Sequence, residues 1–173
     1  IPYAPGDGGG SIGSALVVAN NKYNFKKFKN LSSPYIGPSY EVDEIYNFIK
    51  KNKNLKKFKI KKYTNAGNLT DHIAKYIFQN KIIGYFNDRM EFGARALGNR
   101  SIIANPCNPN IKKIINLKIK RRENFRPFAP AIIEEEKKKW FGNDRHNYYM
   151  SSVESIIPKK QKLIPAVTHI DGT

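Results

Sequence analysis

The chain is short of cysteine, arginine and acid, and each shortage excludes something. A single cysteine, Cys107, rules out an internal disulfide framework and fits a reducing, cytoplasmic setting. Cys107 itself reads as a partly buried thiol near a turn. No apolar run approaches the roughly 18–20 residues of a membrane span. No basic n-region marks a secretory leader, so no membrane partner is expected. No Cys/His metal set or Ser-His-Asp arrangement is evident. His72, His146 and His169 are scattered and read as surface or core residues. With 40% hydrophobic and 12% aromatic residues among 173, the chain is too apolar for wholesale disorder and long enough for a real core.

Acids number 14 against 31 Lys and Arg, a formal net charge of +17. Such a balance suits anionic partners, nucleic acid among them. Yet Lys, Asn and Ile are abundant together, the bias of an A/T-rich genome. The lysine run Lys50–Lys57 therefore reads as solvated surface, and nucleic acid is not the expected partner. Arginine behaves differently. Only seven occur beside 24 lysines, and Arg89, Arg95, Arg100, Arg121, Arg122 and Arg126 all fall within 38 residues. Arg is used where a planar, bidentate grip on phosphate or carboxylate is required. The two arginine phrases, 87–101 and 121–130, are the candidate oxyanion site.

The chain opens on a glycine-rich turn, Pro5 to Gly10, running into a small-residue helix. Such a turn lets backbone N–H groups approach a nucleotide through Gly6, Gly8 and Gly9, with Asp7 a candidate metal ligand. A flexible leader is the plainer reading. Ser39 is expected to cap a helix over about 41–52, and Phe58, Ile60 and Lys62 suggest a half-exposed strand. Asn68 or Thr70 is expected to cap a second helix. Residues 81–86 read as a strand central in a sheet, 101–104 as another, and 108–120 as a helix. Residues 134–139 open a short helix. The expected fold class is α/β, an open twisted sheet with flanking helices.

Within the first phrase, glycines 93 and 98 permit sharp bends around a small ligand carrying Arg89, Arg95 and Arg100, and Ser101 adds a hydroxyl. Arg126 sits between Phe125 and Pro127, which should hold its guanidinium still. Glu91 and Glu123 lie inside the phrases and are expected to orient arginines through ion pairs.

The stretches M-E-F-G-A-R-A-L-G-N-R-S-I-I-A-N-P and K-I-K-R-R-E-N-F-R-P-F-A-P closely resemble the C-terminal domain of the NodU/CmcH-type O-carbamoyltransferases. The closing P-A-V-T-H-I-D-G-T and the opening P-G-D-G-G-G-S-I-G-S-A-L are also similar to family motifs. The resemblance implies that residues 1–22 are the tail of an actin-like, ATPase-type domain, 23–40 a linker, and 41–173 a YrdC-like domain. It also implies that the chain lacks most of the actin-like domain and at least one arginine beyond Thr173, so that alone it would not complete the transfer.

The implied reaction hydrolyses carbamoyl phosphate to carbamate and condenses that with ATP, accompanied by Mg²⁺, into carbamoyl adenylate. The actin-like domain, with a divalent metal for which iron is a candidate, then passes the carbamoyl group to a hydroxylated small-molecule acceptor such as an antibiotic or nodulation-factor sugar. By motif position, Arg89, Arg95 and Arg126 are the implied catalytic arginines. Arg100, Ser101 and Lys120 would join them in binding substrate, and Asp7 matches a metal-binding aspartate. Ala94, Asp88 and Asn105 depart from the family's Pro, Gly and Asp. The contrasting reading is a basic YrdC-like module that binds RNA without catalysis.

Overall fold

The computed structural model describes residues 3–24 and 33–173, with the side chain of Asp7 outside the described set. Part of the expected 23–40 linker, residues 25–32, lies outside it too. The elements run α1 (Asp7–Tyr23), α2 (Val42–Lys51), α3 (Ala66–Phe78), β1 (Ile83–Phe86), β2 (Arg100–Ile103), α4 (Ile111–Ile114), α5 (Lys137–Phe141) and α6 (Pro158–Gln161). The protein is mixed helix and sheet, with β1 and β2 forming a two-stranded sheet. None of the described helices is long and apolar enough to cross a membrane.

The chain divides into two compact units. The first comprises Ile1–Thr70 with Tyr85–Ser101, and the second Asp71–Gly84 with Ile102–Thr173.

In the first unit the opening glycines are helical rather than a turn. Gly6 is the N-cap of α1, and Gly8, Gly9 and Gly10 form its first turn. Tight packing explains Gly9, because a Cβ there would collide with the Ala4 carbonyl. The N-terminus of α2 falls at Glu41 instead of Ser39, since the Glu44 carboxylate reaches back to the Glu41 N–H at 2.9 Å. No strand forms over residues 58–62. Phe58 and Ile60 stay exposed, and lysine ammoniums lie over nearby rings: Lys50 and Lys62 over Tyr46, and Lys57 over Phe58. Alternation without a partner sheet gives no ladder to join. α3 starts before both expected caps. The Asn65 side chain accepts from Asn68 N at 3.3 Å, which leaves Asn68 and Thr70 inside the helix.

In the second unit, Ile111, Ile115 and Ala166 form a buried cluster, with Ile82, Ala104 and Phe128 packed against it. Each buried isoleucine contributes roughly 1.5–3 kcal/mol. The expected 108–120 helix is α for one turn and then π-helical over Ile115–Lys120, a form favoured at functional sites. Residues 134–136 are a 3₁₀ turn leading into α5. Cys107 is exposed, not partly buried, although it does lie at a turn.

Candidate functional site

The first arginine phrase leaves β1 and returns to β2 as one loop of the first unit. Glu91 sits at its centre, 3% exposed, with a side chain wholly removed from solvent. Its Oε1 accepts the backbone N–H of Leu97 at 2.6 Å and of Asn99 at 2.7 Å, and its Oε2 accepts Arg100 Nε at 3.1 Å. Burial is the largest single influence on this carboxyl and pushes its pKa up. The N–H groups of Glu91 itself, Asn99 and Leu97, with the Arg100 side chain, outweigh it and hold the group below the usual glutamate range. Glu91 is therefore a buried anion that shapes the loop, as an orienting residue should.

Arg100 returns the bond and then braces the loop further, donating to the carbonyls of Gly93 at 3.1 Å and Arg95 at 3.3 Å. Gly93 and Gly98 adopt φ values of +116° and +121°, a region closed to ordinary side chains, so the expected glycine bends are real. The Ser101 hydroxyl closes the second bend by accepting Gly98 N–H at 3.1 Å. Tyr35 donates to the Leu97 carbonyl at 2.9 Å.

Arg89 performs an anchoring task. Its Nε donates to the Gly37 carbonyl at 3.0 Å and its terminal nitrogen to Ile36 at 3.3 Å. This fastens the 34–38 segment, which also exchanges backbone hydrogen bonds with Met90 and Phe92. Asp88 holds φ +47°, the left-handed conformation that the family pattern gives to glycine. Arg95 differs from its neighbours. It is exposed, and its guanidinium has no side-chain or backbone partner among the described residues. The loop thus spends Arg100 on its own backbone and Arg89 on the 34–38 segment, and leaves Arg95 outward.

The second phrase belongs to the second unit. Lys120 ends the π-helical turn, exposed, and Arg121 follows in the left-handed region at φ +49°. Arg122 lies over the Phe128 ring at 4.9 Å and donates from Nε to Asn116 Oδ1 at 2.7 Å. Arg126 pairs with Glu123 at 3.0 Å, the orienting role expected of that acid. Phe125 is 74% exposed, so it does not clamp Arg126 as its position suggested. The residue that does organise this loop is Asn116, fully buried, whose amide donates to the carbonyls of Asn124 at 3.3 Å and Arg126 at 2.9 Å. Sequence reading missed it. An amide beside Ile115 on the buried face shared with Ile111 was the available signal.

Among the remaining candidates, Gly6, Gly8 and Gly9 lie at the start of α1, where helix-terminal N–H groups are concentrated. Asp7 shares that position, but its side chain lies outside the described residues. Among the described residues no group of three or more His, Cys, Asp or Glu could hold a metal ion. Asn105 accepts Cys107 N–H at 3.0 Å and donates to Asn80 Oδ1 at 3.2 Å. The donated bond uses the amide that the family's aspartate lacks.

Residues 74–173 match the family described as carbamoyltransferase C-terminus. The chain belongs to that family. It is similar to an uncharacterized protein of Synechocystis sp., 33% identical over 197 residues, with all of this chain and 32% of the relative covered. A protein of Methanocaldococcus jannaschii is 35% identical over 172 residues, covering 98% of this chain and 28% of its own length. The nodulation protein NolNO of Sinorhizobium fredii is 33% identical over 178 residues, covering all of this chain and 25% of the relative. The chain thus spans between a quarter and a third of the length of these relatives.

Proposed function

We propose that this chain is the carbamoyl-activating part of a cytoplasmic O-carbamoyltransferase, with residues 41–173 of YrdC-like type and 1–22 belonging to an actin-like neighbour. On this reading it binds carbamoyl phosphate and ATP. Water displaces phosphate from carbamoyl phosphate to give carbamate. A carbamate oxygen then attacks the α-phosphorus of ATP and releases pyrophosphate. The acceptor hydroxyl finally attacks the carbamoyl carbon, loses its proton and expels AMP.

The observation that carries the reading is Arg95: an exposed guanidinium that has no partner among the described residues, on a backbone fixed by Glu91 and Arg100. A loop whose backbone is already fixed has less freedom to lose when phosphate arrives. Arg89 has donors remaining beyond those given to Gly37 and Ile36, and in this proposal it assists at the same loop. Arg100 and Ser101 hold the loop's shape. Arg126 and Lys120 bind phosphate oxygens from their own loop. Mg²⁺ bound with ATP would neutralise charge on its phosphates. The described residues offer no ligand set for an ion alone, so no step is assigned to one.

Calorimetric titration with carbamoyl phosphate tests the proposal. Arg95→Ala should lose about 2–5 kcal/mol of binding if the contact is desolvated, while its thermal melt stays near wild type because the side chain is exposed. Unchanged affinity in that variant would refute the assignment.

A further inference from the structure

We infer that Asn116 is a positioning residue that presents Arg126, Arg121 and Lys120 to a phosphate-bearing substrate. The inference rests on the carbamoyl-phosphate reading and extends it to a residue that no arginine motif contains. Asn116 is 0% exposed, the one large side chain among the described residues with less than 2% of its surface accessible. A fully buried amide is retained only where its polar atoms are answered. Here both ends are used. The NH₂ donates to the carbonyls of Asn124 and Arg126, and Oδ1 accepts Arg122 Nε. Its backbone carbonyl accepts Arg122 N–H at 3.0 Å as well.

These bonds fasten both ends of the 122–126 segment to one point of the π-helical turn. Closing a short loop on a single buried residue removes most of its conformational freedom before any ligand binds. Arg122 is consumed in the process. Lys120, Arg121 and Arg126 remain exposed around the fastened segment, on a backbone whose course Asn116 dictates. The π-helical winding puts Asn116 under this loop, and Arg121 accepts a left-handed φ of +49° to turn the corner.

The test compares four variants of the full chain by calorimetry with carbamoyl phosphate and by thermal melting. Asn116→Asp keeps the size and the Arg122 contact but turns two donors into acceptors facing two carbonyls. It should weaken binding at least tenfold. Arg126→Ala should also weaken binding, and the double variant should lose no more than the weaker-binding single, since both act on one contact. Ile156→Ala removes a core side chain that is 2% exposed and should lower the melt while leaving affinity within twofold. Arg126→Ala with unchanged affinity would overturn the carbamoyl-phosphate reading for this loop, and the inference with it. If Arg126→Ala weakens binding but Asn116→Asp does not, the positioning role alone fails. It fails equally if Ile156→Ala weakens binding as much as Asn116→Asp.

Discussion

Replacing Glu91 by glutamine should cost the first unit heavily, and the cost should depend on pH in a defined direction. The substitution preserves shape. The new amide oxygen can still accept Leu97 and Asn99, now through neutral bonds, while the amide nitrogen faces Arg100 Nε, donor against donor. Three bonds to a charged acceptor become two weaker bonds and one conflict. Net differences of about 1 kcal/mol per bond, plus a stranded partly buried cation, sum to roughly 3 kcal/mol. At about 2–4 °C per kcal/mol for a chain of this size, the melt should fall by about 6–12 °C.

The acid dependence gives the sharper check. An unfolded glutamate takes up its proton near 4.5, whereas folded Glu91 resists protonation to lower pH. Its contribution is therefore complete above that value and is lost as pH falls through the folded pKa. Urea titrations of both proteins at neutral pH and near pH 3 should show the stability gap narrowing in acid. A gap that stays constant would refute the picture of Glu91 as a buried anion.

Other expectations concern neighbouring features. Asp88→Gly relieves a left-handed φ of +47° and should raise stability by about 0.5–1 kcal/mol, seen as a higher urea midpoint at unchanged slope. Gly37→Ala would place a methyl 2.8 Å from Met90 Cβ and 2.9 Å from its carbonyl oxygen, and should cost about 1–3 kcal/mol in the same assay. Glu154 accepts Asn143 at 2.7 Å and Lys137 at 3.3 Å. Asn143 foremost, with Lys137 and Arg145, holds its carboxyl below the usual range against the pull of burial. Glu154→Gln should therefore destabilise by about 1–3 kcal/mol at neutral pH, with the difference shrinking below about pH 4.5 as the wild-type carboxylate is protonated.

Local chemistry was the part of this fold most legible in the sequence. Glycines 93 and 98 announced bends because only glycine takes their φ values, and both acids inside the arginine phrases proved to orient arginines. The short strands at 83–86 and 100–103 were also foreseeable, but among the described residues β1 pairs only with β2 and is not central in a sheet as expected. What failed was anything set by distant partners. Residues 58–62 alternate like a strand, but among the described residues no ladder receives them. The glycines at 8–10 look like a loop on intrinsic propensity, yet they form the first turn of α1, with Gly9 packed too closely against the Ala4 carbonyl to carry a Cβ. Which arginines would face outward was likewise hidden. Arg89, Arg95 and Arg100 are chemically identical, and only the Glu91 carboxylate and the carbonyls of residues 36, 37, 93 and 95 distinguish them.

Glu91, Arg100 and Asn116 fasten their loops chiefly through main-chain amides and carbonyls, groups that every sequence supplies. Loop shape is thereby insulated from loop content. Ala94 can stand where the family pattern has proline because the clasp around it never consulted that side chain. The outward residues are free to change with the ligand while the inward three are not. Within each loop, selection should hold the clasp constant and let the outward residues follow the ligand.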